Sequence, residues 1–178
     1  MINVLLSRKL DIVLLLLTLA WALYMKQAVA LEQATQVIVD FELAGSLEKA
    51  QSIMKNIGPD GVQALVHSIY LDFVFLALYS TALALLYIRA ASSFKDLPRL
   101  FFLGFLLAGL QWFAGAMDTL ENRAMLYTLS GDPSTWYPYL AMIFAKIKFG
   151  ILLLSIPYLL FSFLYWILFQ VFSAGKTK

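Results

Sequence analysis

The sequence predicts an all-α integral membrane protein, a bundle of four transmembrane helices with a short amphipathic helix in the outer loop between the first two. Hydrophobic residues make up 62% of the 178 residues and charged residues only 13%, against about 25% in soluble domains. Four apolar stretches reach the roughly 20 residues that a helix needs to cross a bilayer. The connection between the first two stretches repeats apolar residues at helical spacing, which predicts the short helix.

The composition also excludes several kinds of protein. The net charge is +2 and no basic patch is present, so we do not expect nucleic acid as a partner. Cysteine is absent, which excludes disulfides, thiolate catalysis and cysteine-ligated metals. The sequence contains neither a glycine-rich phosphate loop nor a nucleophile elbow, and we expect no cofactor. One alternative is a metal ion held by four side chains: His67, Asp72, Asp118 and Glu121.

The predicted spans cover about residues 10–30, 65–88, 100–120 and 139–169, within a single transmembrane domain of residues 1–178. An even number of spans puts both termini on one side of the membrane. The positive-inside rule makes this side cytoplasmic, because basic residues flank the spans there. These residues are Arg8, Lys9, Arg89, Lys95, Arg99, Lys176 and Lys178. The first connection is acidic and the third carries few charges, so we expect both outside.

The first span has an alternative interpretation as a secretory signal peptide. A basic start, an apolar run and the tripeptide Ala28-Val29-Ala30 are typical of such a leader and its cleavage site. Lys26 within the cleavage region is unusual for a signal peptide. We therefore favour an uncleaved first helix.

The outer loop, residues 31–61, is too long for a tight turn, and we predict a helix at about residues 47–57. Ser46 can cap it, and Glu48 suits its first turn. Gly58 and Pro59 should end it. Its apolar face consists of Leu47, Ala50, Ile53, Met54 and Ile57. We expect this helix to lie on the outer membrane surface or to cap the bundle. The alternative is a lid over an outward-opening pocket.

The third span carries small and polar residues at alternating spacings of four and three, which places them on one face of a helix. They are Gly104, Ala108, Gln111, Gly115, Asp118 and Asn122. Small residues allow neighbouring helices to approach, and Gln111 can form a hydrogen bond across the interface. Asp118, Glu121 and Asn122 present two carboxyl groups and an amide within about one turn. This stripe is expected to face protein rather than lipid.

Helix depth predicts that ionisable residues from three spans share one layer in the outer half of the bundle. Asp72 should lie at the height of Asp118, and the two lysines of the fourth span enter from the same side. We expect three acids facing three bases: Asp72, Asp118 and Glu121, and Lys146, Lys148 and Arg123. A charge at the centre of a membrane helix costs about 2.5–3.5 kcal/mol, so these groups must be paired, hydrated or neutralised.

This layer predicts a polar pocket that binds a membrane lipid or another amphipathic small molecule. Acids would bind a cation or hydroxyl, lysines an anionic group, and aromatic residues would line the apolar part. The candidate binding residues are Asp72, Tyr79, Gln111, Trp112, Asp118, Glu121, Asn122, Lys146 and Lys148.

Two other functions use the same residues. In a structural or accessory subunit, the acids and lysines would only fix helix packing, and the chain would form a homo-oligomer or join a partner membrane protein. In a lipid-modifying enzyme, Asp72, Asp118 or Glu121 would be the candidate general acid or base. The two lysines also have a purely local alternative, in which their side chains extend to the outer head groups.

Several segments carry a family resemblance. They are FELAGS (41–46), LDF (71–73), YSTAL (79–83), DTLEN (118–122) and KIKF (146–149). With these segments the chain from residue 41 onward resembles a bacterial family of four-span membrane proteins of unknown function. The resemblance implies a location in the inner membrane and no particular activity. A weaker likeness, in the general arrangement of acids among membrane helices, is to the emopamil-binding, sterol isomerase-like superfamily, and it implies isomerase activity as an alternative.

Overall fold

The computed structural model describes residues 8–29 and 34–174, which are helical almost throughout. The helices are α1 (Arg8–Ala28), α2 (Ala34–Glu42), α3 (Leu47–Ala91), α4 (Pro98–Leu129) and α5 (Trp136–Ala174), and a 3₁₀ turn, Ser92–Phe94, follows α3. No strand occurs in these residues, so the predicted all-α class is confirmed. The predicted orientation uses Lys176 and Lys178, and the alternative cleavage site uses Ala30; these three residues lie outside the described ranges.

Four helices, α1, α3, α4 and α5, are long and apolar enough to cross a membrane, which confirms the predicted four-span bundle. Large apolar side chains cover its outside; Leu154, for example, is 82% exposed. A bundle with such a surface is stable in lipid and not in water. The four candidate spans thus correspond, in chain order, to the four apolar stretches of the sequence.

Contacts between the spans show that consecutive spanning helices are antiparallel. Two contacts in each pair give the direction. Between α1 and α3, Trp21 donates to the Leu71 carbonyl and Asp11 pairs with Arg89. Between α3 and α4, Tyr79 donates to Asp118 and Asp72 accepts from Asn122. Between α4 and α5, Asp118 accepts from Lys148 and the Leu100 carbonyl accepts from Tyr158. The turns α2–α3 and α4–α5 therefore lie at the same end of the bundle, which we call the α2 end. The start of α1 and the α3–α4 connection lie at the opposite end.

The outer loop contains the predicted helix, but it also continues directly into the second span. Ser46 caps α3, and its hydroxyl accepts a hydrogen bond from the Lys49 amide at 3.4 Å. At Gly58 the backbone leaves the helical region, with φ at 68° and ψ at 179°, and Pro59 starts the helix again. Residues 47–57 thus form a separate helix, while the second helix begins at residue 59 rather than at the predicted 65. Pro59 explains the early start, since proline suits the first turn of a helix.

Residues 47–57 cap the bundle. Ala50 is buried in a core cluster at the α2 end, together with Leu65 of α3 and Met125 of α4. Ile53 and Met54 pack against the same cluster. This cluster also explains why α4 runs to Leu129, well past the predicted end at residue 120: its last turns are buried in the cluster instead of entering a loop.

The helix α2 was not predicted. It is followed by a turn in which Gly45 has a positive φ of 68°, a conformation that other L-residues rarely adopt. Phe41 and Ala44 are buried in the core cluster at the α2 end, so α2 is held against α3 and α5. As a result, Glu42, the last residue of α2, lies inside the bundle with 4% of its surface exposed.

Candidate functional site

The ammonium group of Lys148 lies at the centre of a buried cluster of acids. Its Nζ is 2.9 Å from Asp118 Oδ1, 2.8 Å from Glu121 Oε2 and 3.4 Å from Glu42 Oε2. The four side chains come from three helices, α2, α4 and α5. All four residues are buried, Glu121 most completely at 1% exposure. Buried ion pairs persist only when their hydrogen-bonding capacity is largely used, which Lys148 achieves by donating to all three carboxyl groups.

Two further hydrogen bonds connect this cluster to α3. The Tyr79 hydroxyl donates to Asp118 Oδ2 at 2.8 Å. The Asn122 amide donates to Asp72 Oδ2 at 2.7 Å. Asp118 therefore uses one oxygen for Lys148 and the other for Tyr79. Asp72, by contrast, has an amide as its partner, and within the described part of the chain no lysine, arginine or histidine lies within 4.0 Å of its carboxyl group.

A cavity of about 410 Å³ lies beside these groups, and all five helices contribute to its wall. Its lining residues are Met25, Ile38, Glu42, Ser68, Ile69, Asp72, Phe75, Tyr79, Leu83, Asp118, Glu121, Asn122, Met125, Lys148, Phe149 and Leu152. The ionisable groups lie toward the α2 end, among apolar residues such as Ile38, Ile69 and Met125. The wall that Leu83 and Leu152 form continues toward the opposite end and is apolar. The ionisable groups are thus grouped in one part of a wall that is otherwise largely apolar, and toward the opposite end the wall is wholly apolar.

Acids outnumber bases in this wall by four to one: Glu42, Asp72, Asp118 and Glu121 face Lys148. Ionised carboxyl groups are costly away from water unless each is paired, so one ammonium group cannot neutralise all four. Glu121 Oε2 lies 2.8 Å from the Lys148 ammonium, but Glu121 shares this ammonium with Asp118 and Glu42. The site therefore has unused capacity for a proton or another positively charged group.

The predicted binding residues fall into two groups. Six of them line the cavity: Asp72, Tyr79, Asp118, Glu121, Asn122 and Lys148. Three do not. Gln111 is buried elsewhere, where its amide donates to Ser155 Oγ at 3.3 Å. Trp112 is 54% exposed on the outside of the bundle, because one residue along a helix turns the side chain by about 100°. Lys146 is also exposed.

The expectation of three bases facing three acids is wrong. Lys148 meets the acids, but Lys146 precedes it by two residues, and two residues rotate a helix by about 200°. Lys146 therefore points away from the cluster when Lys148 points into it. Arg123 is exposed for the same reason, since it lies two residues after Glu121 on α4. The layer keeps one base.

Glu42 belongs to the acidic cluster, although the helical spacing in the sequence does not predict it there. The sequence predicts an acidic outer loop at this position, whereas in the structure Glu42 Oε2 lies 3.4 Å from Lys148 Nζ. A signal was available: Glu42 lies between Phe41 and Leu43-Ala44, and it shortly precedes Gly45. A glycine shortly after such a segment is typical of a helix end, and the apolar neighbours of Glu42 favour packing of that helix against the bundle.

The structure does not place the predicted lid, residues 47–57, over the cavity. Residues 47–57, the predicted lid, do not line the cavity, whereas Ile38 and Glu42 of α2 do. Helix α2, and not residues 47–57, therefore contributes to the cavity wall at this end. In the described part of the chain, no group of three or more acids, histidines or cysteines has an arrangement that could hold a metal ion, and His67 is exposed on α3. The proposed set of four metal ligands is thus not brought together.

Comparison with known proteins gives no match: no family model, no curated protein and no solved structure shows significant similarity to the chain. The resemblance to a bacterial four-span family stays a prediction, as does the likeness to the sterol isomerase-like superfamily. The fold and the contacts described above are therefore the basis for assigning a function.

Proposed function

We propose that this multi-pass membrane protein binds an amphipathic small molecule or a lipid in the cavity between its helices. The polar head of the ligand lies at the α2 end, near Asp72 and the Lys148 cluster. Its apolar part extends along Leu83 and Leu152. The single observation that carries this proposal is a cavity whose ionisable groups are grouped together in an otherwise apolar wall that continues as hydrocarbon toward the opposite end.

The size and the wall of the cavity agree with this function. A volume of about 410 Å³ lies within the roughly 300–1,000 Å³ of ordinary small-molecule sites. Such sites are mostly apolar with a few polar groups that orient the ligand. Here Tyr79 and Asn122 fix the orientation of two acids by hydrogen bonds, which makes the polar end rigid before any ligand binds.

Native mass spectrometry, combined with extraction of any bound molecule, tests the proposal. We expect a specific molecule on the wild-type protein and its loss from Leu152→Trp, which fills the apolar end of the cavity. The matched control is Leu153→Trp. Leu153 is the next residue of α5 and is 65% exposed, so its replacement leaves the cavity unchanged and should retain the molecule.

Two results would contradict the proposal. The first is bare wild-type protein under conditions that retain lipids on other membrane proteins. The second is equal retention by the two tryptophan variants. Either result would favour the structural alternative, in which the buried charges only fix the packing of the helices. The same spectra report the mass of the assembly, which tests the expected homo-oligomer or partner.

The proposal includes an orientation, with the α2 end outside the cytoplasmic membrane of a bacterial cell. Basic residues at the opposite end support it, namely Lys9, Arg89, Lys95 and Arg99. The absence of cysteine makes the test simple, because a single introduced cysteine is the only thiol. We expect a membrane-impermeant maleimide to label Asp60→Cys in intact cells and to label Lys95→Cys only after lysis. The reverse pattern would contradict this orientation.

A further inference from the structure

We infer that the head group of the ligand is a cation, of the alkylammonium class, and that Asp72 is the residue that binds it. This inference rests on the proposed function and adds the charge of the ligand and its contact residue. It follows from which oxygen atoms in the cavity wall are already used and which are not.

Three of the four acids are committed to Lys148. Asp118 uses both oxygens, one for the ammonium group and one for Tyr79. Both oxygens of Glu121 lie within 3.0 Å of the same ammonium group, and one oxygen of Glu42 lies at 3.4 Å. These groups hold α2, α4 and α5 together, and a ligand that took them over would have to break the cluster.

Asp72 differs from the other acids in its partner. The Asn122 amide contacts only one of its oxygens, Oδ2, at 2.7 Å. Asn122 is itself buried, at 2% exposure, so it holds the carboxyl group in a fixed orientation in the cavity wall. An amide does not neutralise a carboxylate. Asp72 therefore presents a positioned acid to the cavity, and among the described residues no base lies within ion-pair distance of it.

The remaining acids make a cation favourable at this position. The other three acids of the cavity wall share a single ammonium group, that of Lys148. An ammonium head would add the second positive charge to a site where four acids surround one. An anionic head would meet the reverse situation, because the three carboxyl groups around Lys148 already occupy the ammonium that it needs. Lys148 is therefore not an anion site.

The wall also distinguishes an alkylammonium from an inorganic cation. Next to Asp72 the lining of α3 continues with Phe75, Tyr79 and Leu83, one helical turn apart. These side chains suit a hydrocarbon chain that follows the head group into the bundle. Aromatic faces near an ammonium group add a favourable cation–π contribution. A metal ion would need several convergent oxygen ligands, and the described residues do not supply such a set.

Binding of three probes with the same decyl chain tests the inference: decylammonium, decanol and decanoate. The full-length protein is placed in phosphatidylcholine nanodiscs, whose surface carries no net charge, and binding to empty nanodiscs is subtracted. We expect decylammonium to bind wild-type protein at least about tenfold more tightly than decanol, and decanoate to bind least.

Asp72→Asn should reduce the affinity for decylammonium about tenfold and leave the affinity for decanol unchanged, which also shows that the variant is folded. The matched control is Asp60→Asn. Asp60 is exposed on the same helix and does not line the cavity, so this variant should bind all three probes as wild type does.

Equal binding of decylammonium and decanol to wild-type protein would overturn the inference, as would full decylammonium affinity in Asp72→Asn. Preferential binding of decanoate would overturn it too. In each of these cases the cavity still binds an amphipathic molecule, and the proposed function stands. Failure of all three probes to bind would instead contradict the proposed function itself.

Discussion

Two polar layers cross the same bundle, and they differ in charge and in packing. The acidic layer, at the α2 end, consists of the four cavity acids and Lys148. The neutral layer, toward the opposite end, contains Gln111, Ser155 and Tyr158. In the neutral layer each hydroxyl donates to a backbone carbonyl, as Tyr158 does to Leu100 at 2.9 Å. Gly104 lets α4 approach Ala91 and Tyr158 so closely that no space is left for a methyl group.

The two layers differ in the role that their chemistry suggests: packing of the helices for the neutral layer and ligand binding for the acidic layer. Neutral polar groups in a membrane core that are satisfied by nearby backbone, beside small residues, are the usual means of joining helices. Ionisable groups that exceed their partners and border a cavity are costly, and a binding site is the usual reason for them. Both layers use one stripe of α4, so the same helical face serves packing at one end and the proposed site at the other.

The largest effect should follow from removing the base of the acidic layer. Lys148→Met leaves three buried acids without their common partner, and we expect it to lower the free energy of unfolding by about 3–5 kcal/mol. Lys146→Met is the matched control, because this exposed lysine contacts none of the cavity acids and should change stability little. Unfolding by dodecyl sulfate from mixed micelles measures both. Equal stability of the two variants would show that Lys148 does not hold the acidic layer together.

A substitution in the neutral layer should come next in size. In Gly104→Ala the new methyl group would lie 2.6 Å from Ala91 Cβ, and we expect a loss of about 1–3 kcal/mol from overpacking. Gly109→Ala is the control, since nothing lies within 4 Å of its new methyl group. It should leave stability unchanged or slightly higher, as alanine favours helix. The same unfolding measurement applies, and equal losses in both variants would contradict close packing at Gly104.

The amide of the neutral layer should matter less than its burial suggests. Gln111→Leu removes a hydrogen bond to Ser155, but the serine hydroxyl still donates to the Leu152 carbonyl at 2.9 Å. Gln111 Oε1 is buried without a partner, so its removal also relieves a cost. We expect a loss of about 1 kcal/mol or less, with no effect on the bound molecule in native mass spectra. Loss of that molecule would show that the neutral layer takes part in binding.

The smallest effect distinguishes the acids from one another. Asp72→Asn removes a charge that has no basic partner among the described residues, while Asn122 remains opposite the new amide. We expect the unfolding midpoint of this variant in nanodiscs to equal or slightly exceed that of wild type, because a partly buried charge without a basic partner is costly. A drop comparable to that of Lys148→Met would mean that Asp72 is part of the packing and not a free binding group.

The polar stripe on α4 is a part of the site that could be predicted from the sequence. Asp118, Glu121 and Asn122 are within one turn, so their shared face follows from local geometry and needs no knowledge of the other helices. The depth of Asp72 within its span predicts the same height in the membrane, and its carboxyl group accepts a hydrogen bond from Asn122. Both predictions depend only on the number of residues along a helix, which can be counted in the sequence.

The positions of Lys146 and Glu42 could not be predicted from the sequence. Lys146 and Lys148 lie two residues apart on the same apolar helix, and the sequence does not show which of them faces the bundle interior. The rotation of α5 about its axis relative to α4 decides this. Glu42 required the helix α2, which is nine residues long and is held by packing rather than by its own propensity. The spacing of residues within one helix determines neither how that helix is rotated against its neighbours nor where a short helix packs.

The sequence by itself determined the membrane class, the four spans and the polar face of α4, because hydropathy and periodicity are local properties of the chain. The tertiary structure decided that one lysine meets three acids, that Asp72 meets none of the described bases, and that a cavity lies between them. These depend on how five helices rotate and settle against one another, and that is set by the fit of side chains across their interfaces.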